Sequence, residues 1–184
     1  MKKIIIGILA IAIIAVGCLL FLNNGKGDTD HENNTPNVQE NDNKEKNMKD
    51  VNVSFNYKGA DITPGKSFNS KSIAEEAMKS TLPSCAFEGE DNVYTYSNIE
   101  VTANVSGKKE TIYSVYFIDD SVETNEGVKI GDSKGKMLEV YGDNYLDDGN
   151  DSLVTYRDKK GDKDLVFEIQ DDTITGISYI LVLN

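Results

Sequence analysis

Gly127–Gly142, GVKIGDSKGKMLEVYG, is the stretch from which the organisation of the chain can be read. Val128–Ile130 reads as a short strand and Gly131-Asp132-Ser133 as a tight turn. Lys134–Tyr141 then reads as a helix of barely two turns, closed by Gly142. A fainter copy precedes it, with Gly65-Lys66-Ser67 falling on Gly131-Asp132-Ser133. Further on, Thr95-Tyr96 falls on Thr155-Tyr156 and Ile99–Asn104 on Leu165–Gln170, while Thr111-Ile112-x-x-Val115 matches Thr173-Ile174-x-x-Ile177. The offsets run from 60 to 66 residues. This overlay predicts a duplicated unit, repeat 1 over about 51–120 and repeat 2 over about 121–184. A unit of that size is marginal alone and its strand edges need cover. Fusing two of them into one larger antiparallel sheet meets both needs.

The remaining elements follow from alternation. Val51–Tyr57 alternates apolar and polar residues without error and predicts a half-buried strand. A helix is expected from near Ser72, with Glu75 in capping-box position and Ile73, Ala74, Ala77 and Met78 on one face, stopped by Pro83. Strands are expected over 93–97, 99–105, 111–118, 153–157, 164–170 and 173–183. The fold class expected is therefore α+β, two tandem helix-plus-antiparallel-strand repeats following an N-terminal membrane segment.

That segment is explicit. Lys2-Lys3 precede Ile4–Leu22, 19 residues without a charge. Two readings fit the run. Ala15-Val16-Gly17-Cys18 resembles the lipobox of bacterial lipoproteins, in which Cys18 would be acylated and become the first mature residue. Alternatively the run stays uncleaved and spans the bilayer, since 19 residues at 1.5 Å each reach roughly 28 Å. Both readings keep the lysines inside and place everything after the run outside the cytoplasm. Residues 1–22 are thus a signal or anchor. Residues 23–50 read as a disordered polar linker, holding eight Asn and, as larger apolar residues, only Val38 and Met48. Residues 51–184 read as the globular domain.

Charge excludes one class of partner. The chain carries 19 Lys and Arg against 31 Asp and Glu, a net of −12. Residues 1–50 hold 6 basic and 7 acidic groups, leaving 13 and 24 in residues 51–184, a net of −11. Such a domain repels phosphate backbones, so no nucleic-acid partner is expected. Cys85 is the one cysteine beyond the apolar run, which rules out a disulfide within the domain.

Two helix-then-strands units, each opened by Gly-x-Ser and closed after the helix by Tyr-Gly or similar, resemble the fold of the β-lactamase inhibitor protein and of the SmpA/OmlA outer-membrane lipoproteins. The stretch Ser84-Cys85-Ala86-Phe87-Glu88-Gly89 with Tyr94-x-Tyr96 and Gly131-x-Ser133 is also similar to a group of membrane-tethered clostridial (Firmicutes) lipoprotein-like proteins. This second likeness spans roughly residues 53–182. A Pro commonly follows the Gly after the helix in the inhibitor-like families; Asp143-Asn144 stands there in this chain. No inhibitory or assembly residue carries over.

Four constellations invite a chemical reading. Gly131-Asp132-Ser133-Lys134-Gly135 matches the Gly-x-Ser-x-Gly nucleophile elbow. The lone histidine of the chain is His31, in the linker, so residues 51–184 contain no histidine base to activate the serine. Asp132 or Ser133 reads instead as a helix cap. Ser133/Lys136 and Ser106/Lys109 match Ser-x-x-Lys without the companion motifs such enzymes need. Asp143–Asp151 is rich in oxygen donors, but with Gly149 at the sixth loop position no Glu falls at the twelfth, which breaks the EF-hand pattern. Cys85 reads as a buried small hydrophobe. Tyr94, Tyr96, Tyr113, Tyr116 and Tyr156 lie in expected strands, where they serve the core or, if several share the outer sheet face, a binding surface.

The expectation is a non-catalytic, membrane-tethered extracytoplasmic binding module. Its partner would be an envelope protein or cell-wall component. No catalytic residue, metal ligand or cofactor is implied, and Cys18 is the one modification site. The alternatives are a cation-binding surface protein and a hydrolase built on paired carboxylates.

Overall fold

The structure, a computed structural model, describes residues 51–147 and 149–183. The expectations for the anchor over 1–22, the linker over 23–50, Cys18 and His31 lie outside the described residues. Nine strands and one α-helix order the described part. They are β1 (Phe55–Tyr57), β2 (Ala60–Ile62), β3 (Met78–Pro83), β4 (Glu90–Thr95), β5 (Ile99–Ser106), β6 (Lys109–Phe117), α1 (Lys134–Tyr141), β7 (Leu153–Arg157), β8 (Lys163–Gln170) and β9 (Thr173–Leu181). β1 and β2 form a hairpin of their own. The other seven make one antiparallel sheet in the order β3-β4-β5-β6-β9-β8-β7.

The expected α+β architecture of two helix-bearing repeats is therefore wrong. The domain is mostly β, and the helix expected near Ser72 is absent. Asn69 caps a single 3₁₀ turn, Ser70–Ser72, by accepting the Lys71 N–H at 3.1 Å. The chain then bends at Ile73–Glu75 and enters β3, which pairs with β4 over six register positions from Met78↔Thr95 to Pro83↔Glu90. The physical reason lies in two residues. A helix of about ten residues is marginal without a packed face, and Met78, needed on that face, is 73% exposed. The capping-box Glu75 has better partners elsewhere. It accepts hydrogen bonds from the Tyr57 hydroxyl at 2.8 Å, the Lys58 ammonium at 2.9 Å, and both the N–H and the hydroxyl of Ser97.

The two halves echo each other in strands and turns. The Gly65 N–H donates to the Ile112 carbonyl at 2.7 Å and the Ile112 N–H to the Lys66 carbonyl at 2.9 Å. In the second half the Gly131 N–H donates to Ile174 at 2.8 Å and the Ile174 N–H to Asp132 at 2.9 Å. Ser67 bridges Thr111 as Ser133 bridges Thr173. Each half also carries a bulge at the corresponding place. The β5–β6 register shifts between Thr102 and Ala103, leaving Tyr113 over, and the β8–β9 register shifts between Glu168 and Ile169, leaving Thr175 over. Core residues on the bulged strands are consequently three apart, Ile112 and Val115, Ile174 and Ile177, all at most 2% exposed. The correspondence stops at the helix.

One hydrophobic core lies on one side of the sheet. Ile99, Val101, Val115, Phe117, Leu165, Phe167, Ile177 and Tyr179 are fully buried there. The β1–β2 hairpin caps them through Phe55, whose ring lies 4.7 Å from Phe117 and 5.8 Å from Tyr179, centroid to centroid. Alternate residues from Val51 to Tyr57 are buried even though only Phe55–Tyr57 is paired as strand. Val128 is fully buried, but its stretch is not a strand; Lys129 makes a single bridge to Glu123. α1 adds Met137 and Tyr141, the latter 5.3 Å from Tyr156 and 5.4 Å from Phe167.

Candidate functional site

The residues singled out for chemistry are occupied structurally. The Ser133 hydroxyl accepts the Lys136 N–H at 3.2 Å, so it is the N-cap of α1. Asp132 accepts the Lys129 N–H at 2.9 Å and the Lys136 ammonium at 2.8 Å. Lys136 is 44% exposed, far from the desolvated state a lysine base needs. Ser106 and Lys109 face each other across the two-residue turn of the β5–β6 hairpin. Cys85, expected to be buried, is exposed, in the connection between β3 and β4.

Two side chains of the oxygen-rich loop turn their oxygens on its own backbone. Asp147 accepts the Gly149 N–H at 3.1 Å and Asn150 the Ser152 N–H at 3.0 Å. A shallow hollow here is lined by Lys134, Tyr145, Leu146, Asp147, Asn150 and Asp151, so a lysine already shares it with the acids. Asp148 lies outside the described residues. Among the described residues no group of three His, Cys, Asp or Glu side chains is placed to hold a metal ion. No described helix is long and apolar enough to cross a membrane.

The five strand tyrosines divide by face. Tyr94, Tyr96 and Tyr156 are core residues, at most 6% exposed. Burial raises all three phenols, Tyr96 to about 12. Tyr113 and Tyr116 point the other way, since Ile112, Val115 and Phe117 take the core positions of β6. This second face is not a uniformly charged surface. Across the sheet it presents Val93, Glu100, Thr102, Ser114, Tyr116, Ser178, Ile180, Val166 and Glu168, placed by the register of β4, β5, β6, β9 and β8. The hairpin, the 3₁₀ turn and α1 all sit on the core side, through Phe55, Ile73 and Met137. On the second face Phe87, from the β3–β4 connection, meets Tyr113 edge-on at 5.4 Å.

Charge on this face is unbalanced. Arg157 is taken by Asp164 in a two-point ion pair of 2.7 and 2.8 Å. Glu100 receives one hydrogen bond, from the Thr95 hydroxyl at 3.2 Å, and meets no cation among the described residues. Glu168 likewise meets none. Burial pushes both carboxyls up from their ordinary range. Burial also raises the Tyr116 phenol, and the charges of Glu168 and Glu100 add to the effect. Sequence reasoning passed over Glu100 and Glu168; the available signal was an acid set between two core residues of a strand and so on the face opposite them, Glu100 between Ile99 and Val101, and Glu168 between Phe167 and Ile169.

No family model, curated protein or solved structure matches this chain.

Proposed function

We propose that the chain is a non-catalytic binding module, tethered to the outside of the cell membrane by its N-terminal segment, that takes a partner on the second face of its seven-stranded sheet. The observation that carries this reading is the face itself. It displays Tyr113, Tyr116, Val166 and Ile180, half-buried, with no described strand or helix packed over them. Aromatic rings are enriched at protein contact surfaces, and tyrosine supplies large contact area at small entropic cost. The serine and lysine candidates support the same reading, because each is spent on a cap, an ion pair or a turn. The hydrolase alternative needs two carboxyls facing each other across a cleft; Glu100 on β5 and Glu168 on β8 instead share one sheet face, with β6 and β9 between them. The envelope location rests on Lys2-Lys3 and Ile4–Leu22.

The test is site-specific photocrosslinking in cells that express the full chain. A benzophenone amino acid placed at Val166 or Ile180 is expected to capture a discrete partner, whereas the same probe at Glu139, on the exposed side of α1, captures none. Adducts from Glu139 alone, or equal adducts from both faces, would rule the reading out. For the tether, processing blocked by globomycin and lost in Cys18→Ala selects the lipoprotein form; unprocessed chain in both selects the spanning helix.

A further inference from the structure

Gly176 sits inside β9, and its φ lies outside the left-handed region, so the backbone there does not call for glycine. Space does. A Cβ at this position would come within 2.7 Å of the Glu168 Cδ and 2.8 Å of its Oε2. The Glu168 side chain therefore lies flat across β9 in the room that the missing Cβ leaves. A glycine inside a strand sacrifices packing and order, and it commonly marks a close approach; here the approaching group is a carboxylate.

The register extends this into a row. Glu100 pairs with Tyr116, Tyr116 with Ser178, and Gly176, two residues from Ser178 on the same face, pairs with Glu168. Two carboxylates thus flank one tyrosine, with Val166 and Ile180 beside them. Desolvating a carboxylate without a cation is costly. Glu100 is only 9% exposed, and Glu168 has no hydrogen-bond donor to its carboxylate among the described residues. The nearby Arg157 is already committed to Asp164. What the face lacks is positive charge. A bare divalent ion does not suit it, because calcium takes six to eight oxygens and no group of three acids among the described residues is placed to hold one. Long side chains with cationic heads, one to each acid, do suit it.

We propose that this face binds a basic segment of a partner protein, setting lysine or arginine side chains against Glu100 and Glu168 on either side of the Tyr116 ring. This rests on the reading of the second sheet face as the binding surface. The tyrosine ring adds a cation–π contact. The domain's net charge of −11 draws such a segment in from a distance.

The experiment uses the full chain in zwitterionic detergent micelles, followed by amide resonances. Two probe peptides are titrated, acetyl-KVKVKVKV-amide and the same peptide with serine in place of lysine. The lysine peptide is expected to shift Glu100, Tyr116, Glu168 and Ser178, to weaken as salt rises, and to lose at least ten-fold in affinity against Glu100→Gln/Glu168→Gln. That variant relieves buried charge, so its spectrum away from the face should stay unchanged, and each single substitution serves as a check. Equal binding of the serine peptide on this face overturns the basic preference and leaves the face standing as a binding surface. Shifts confined to the acidic connector Asp119–Glu126, or affinity unmoved in the double variant, overturn the seat itself. Failure of both peptides to shift the face overturns the inference and also counts against the proposed function.

Discussion

The Tyr179 hydroxyl is buried in the core without a hydrogen-bond partner among the described residues, on a residue that is 0% exposed. An orphaned buried hydroxyl carries a desolvation cost of about 1–3 kcal/mol, and removing it with the ring kept can stabilise. Tyr179→Phe is expected to raise the unfolding free energy by about 1 kcal/mol in urea titration; a loss of similar size would mean that the hydroxyl is satisfied after all. Ionisable residues set two opposed pH dependences. Hydrogen bonding from Ser97, assisted by Lys58 and Tyr57, holds Glu75 at about 2 against an ordinary 4.5. A depressed carboxyl stabilises above its unfolded pKa, and this contribution fades as pH falls from 4.5 toward 2. Glu100 and Glu168 work in the opposite sense. Burial raises them, so the folded state holds their protons more tightly, and their contribution is present below 4.5 and lost as pH climbs through the raised values. Unfolding free energy should rise with pH up to about 4.5 and be pulled down by these two groups above it. Glu168→Gln should flatten that pull and Glu75→Gln should flatten the rise. An unaltered pH profile in Glu168→Gln would show that its carboxyl is solvated.

Elements differ in how far they could be read from the chain. α1 was legible because its signals agree: Ser133 before it, Gly142 after it, and Met137 and Tyr141 four apart on one face. β7 was legible for the same reason, with Val154 and Tyr156 buried on alternate positions. The segment from Ser72 to Pro83 misled because its signals were local and its outcome was decided at a distance. Glu75 answered Tyr57, Lys58 and Ser97, and the backbone of Met78–Pro83 answered β4. The bulges at Tyr113 and Thr175 were also invisible, since an extra residue leaves no mark on composition and only shows as core positions three apart. The candidate face was half legible: tyrosine enrichment was plain, but which tyrosines faced away from the core depended on those bulges. For α1 the expectation is quantitative. Ser133→Ala removes the cap and should cost about 1 kcal/mol, read by chemical denaturation, with Ser133→Asp close to neutral. A negligible cost in Ser133→Ala would place the helix start elsewhere.

At the scale of the molecule, β4-β5-β6 and β7-β8-β9 are two meanders joined by one seam. β6 meets β9 at three register positions, Ser114↔Ile180, Val115↔Tyr179 and Tyr116↔Ser178. Every other pairing in the sheet joins strands adjacent in sequence. Val115 and Tyr179, fully buried, are 64 residues apart along the chain. Hairpins close quickly and locally, whereas each doubling of loop length adds about 0.6 kcal/mol to the entropy of closure. Seating Val115 against Tyr179 is therefore expected to be the slow step, with the two meanders finding each other before the core consolidates. Val115→Ala should accordingly slow refolding and leave the unfolding arm of the chevron nearly unmoved. If the unfolding arm moved instead, the seam would be zipping up after the barrier. A sheet that looks continuous when finished thus has a history, in which its two ends are built separately and the joining of its middle sets the pace for everything after.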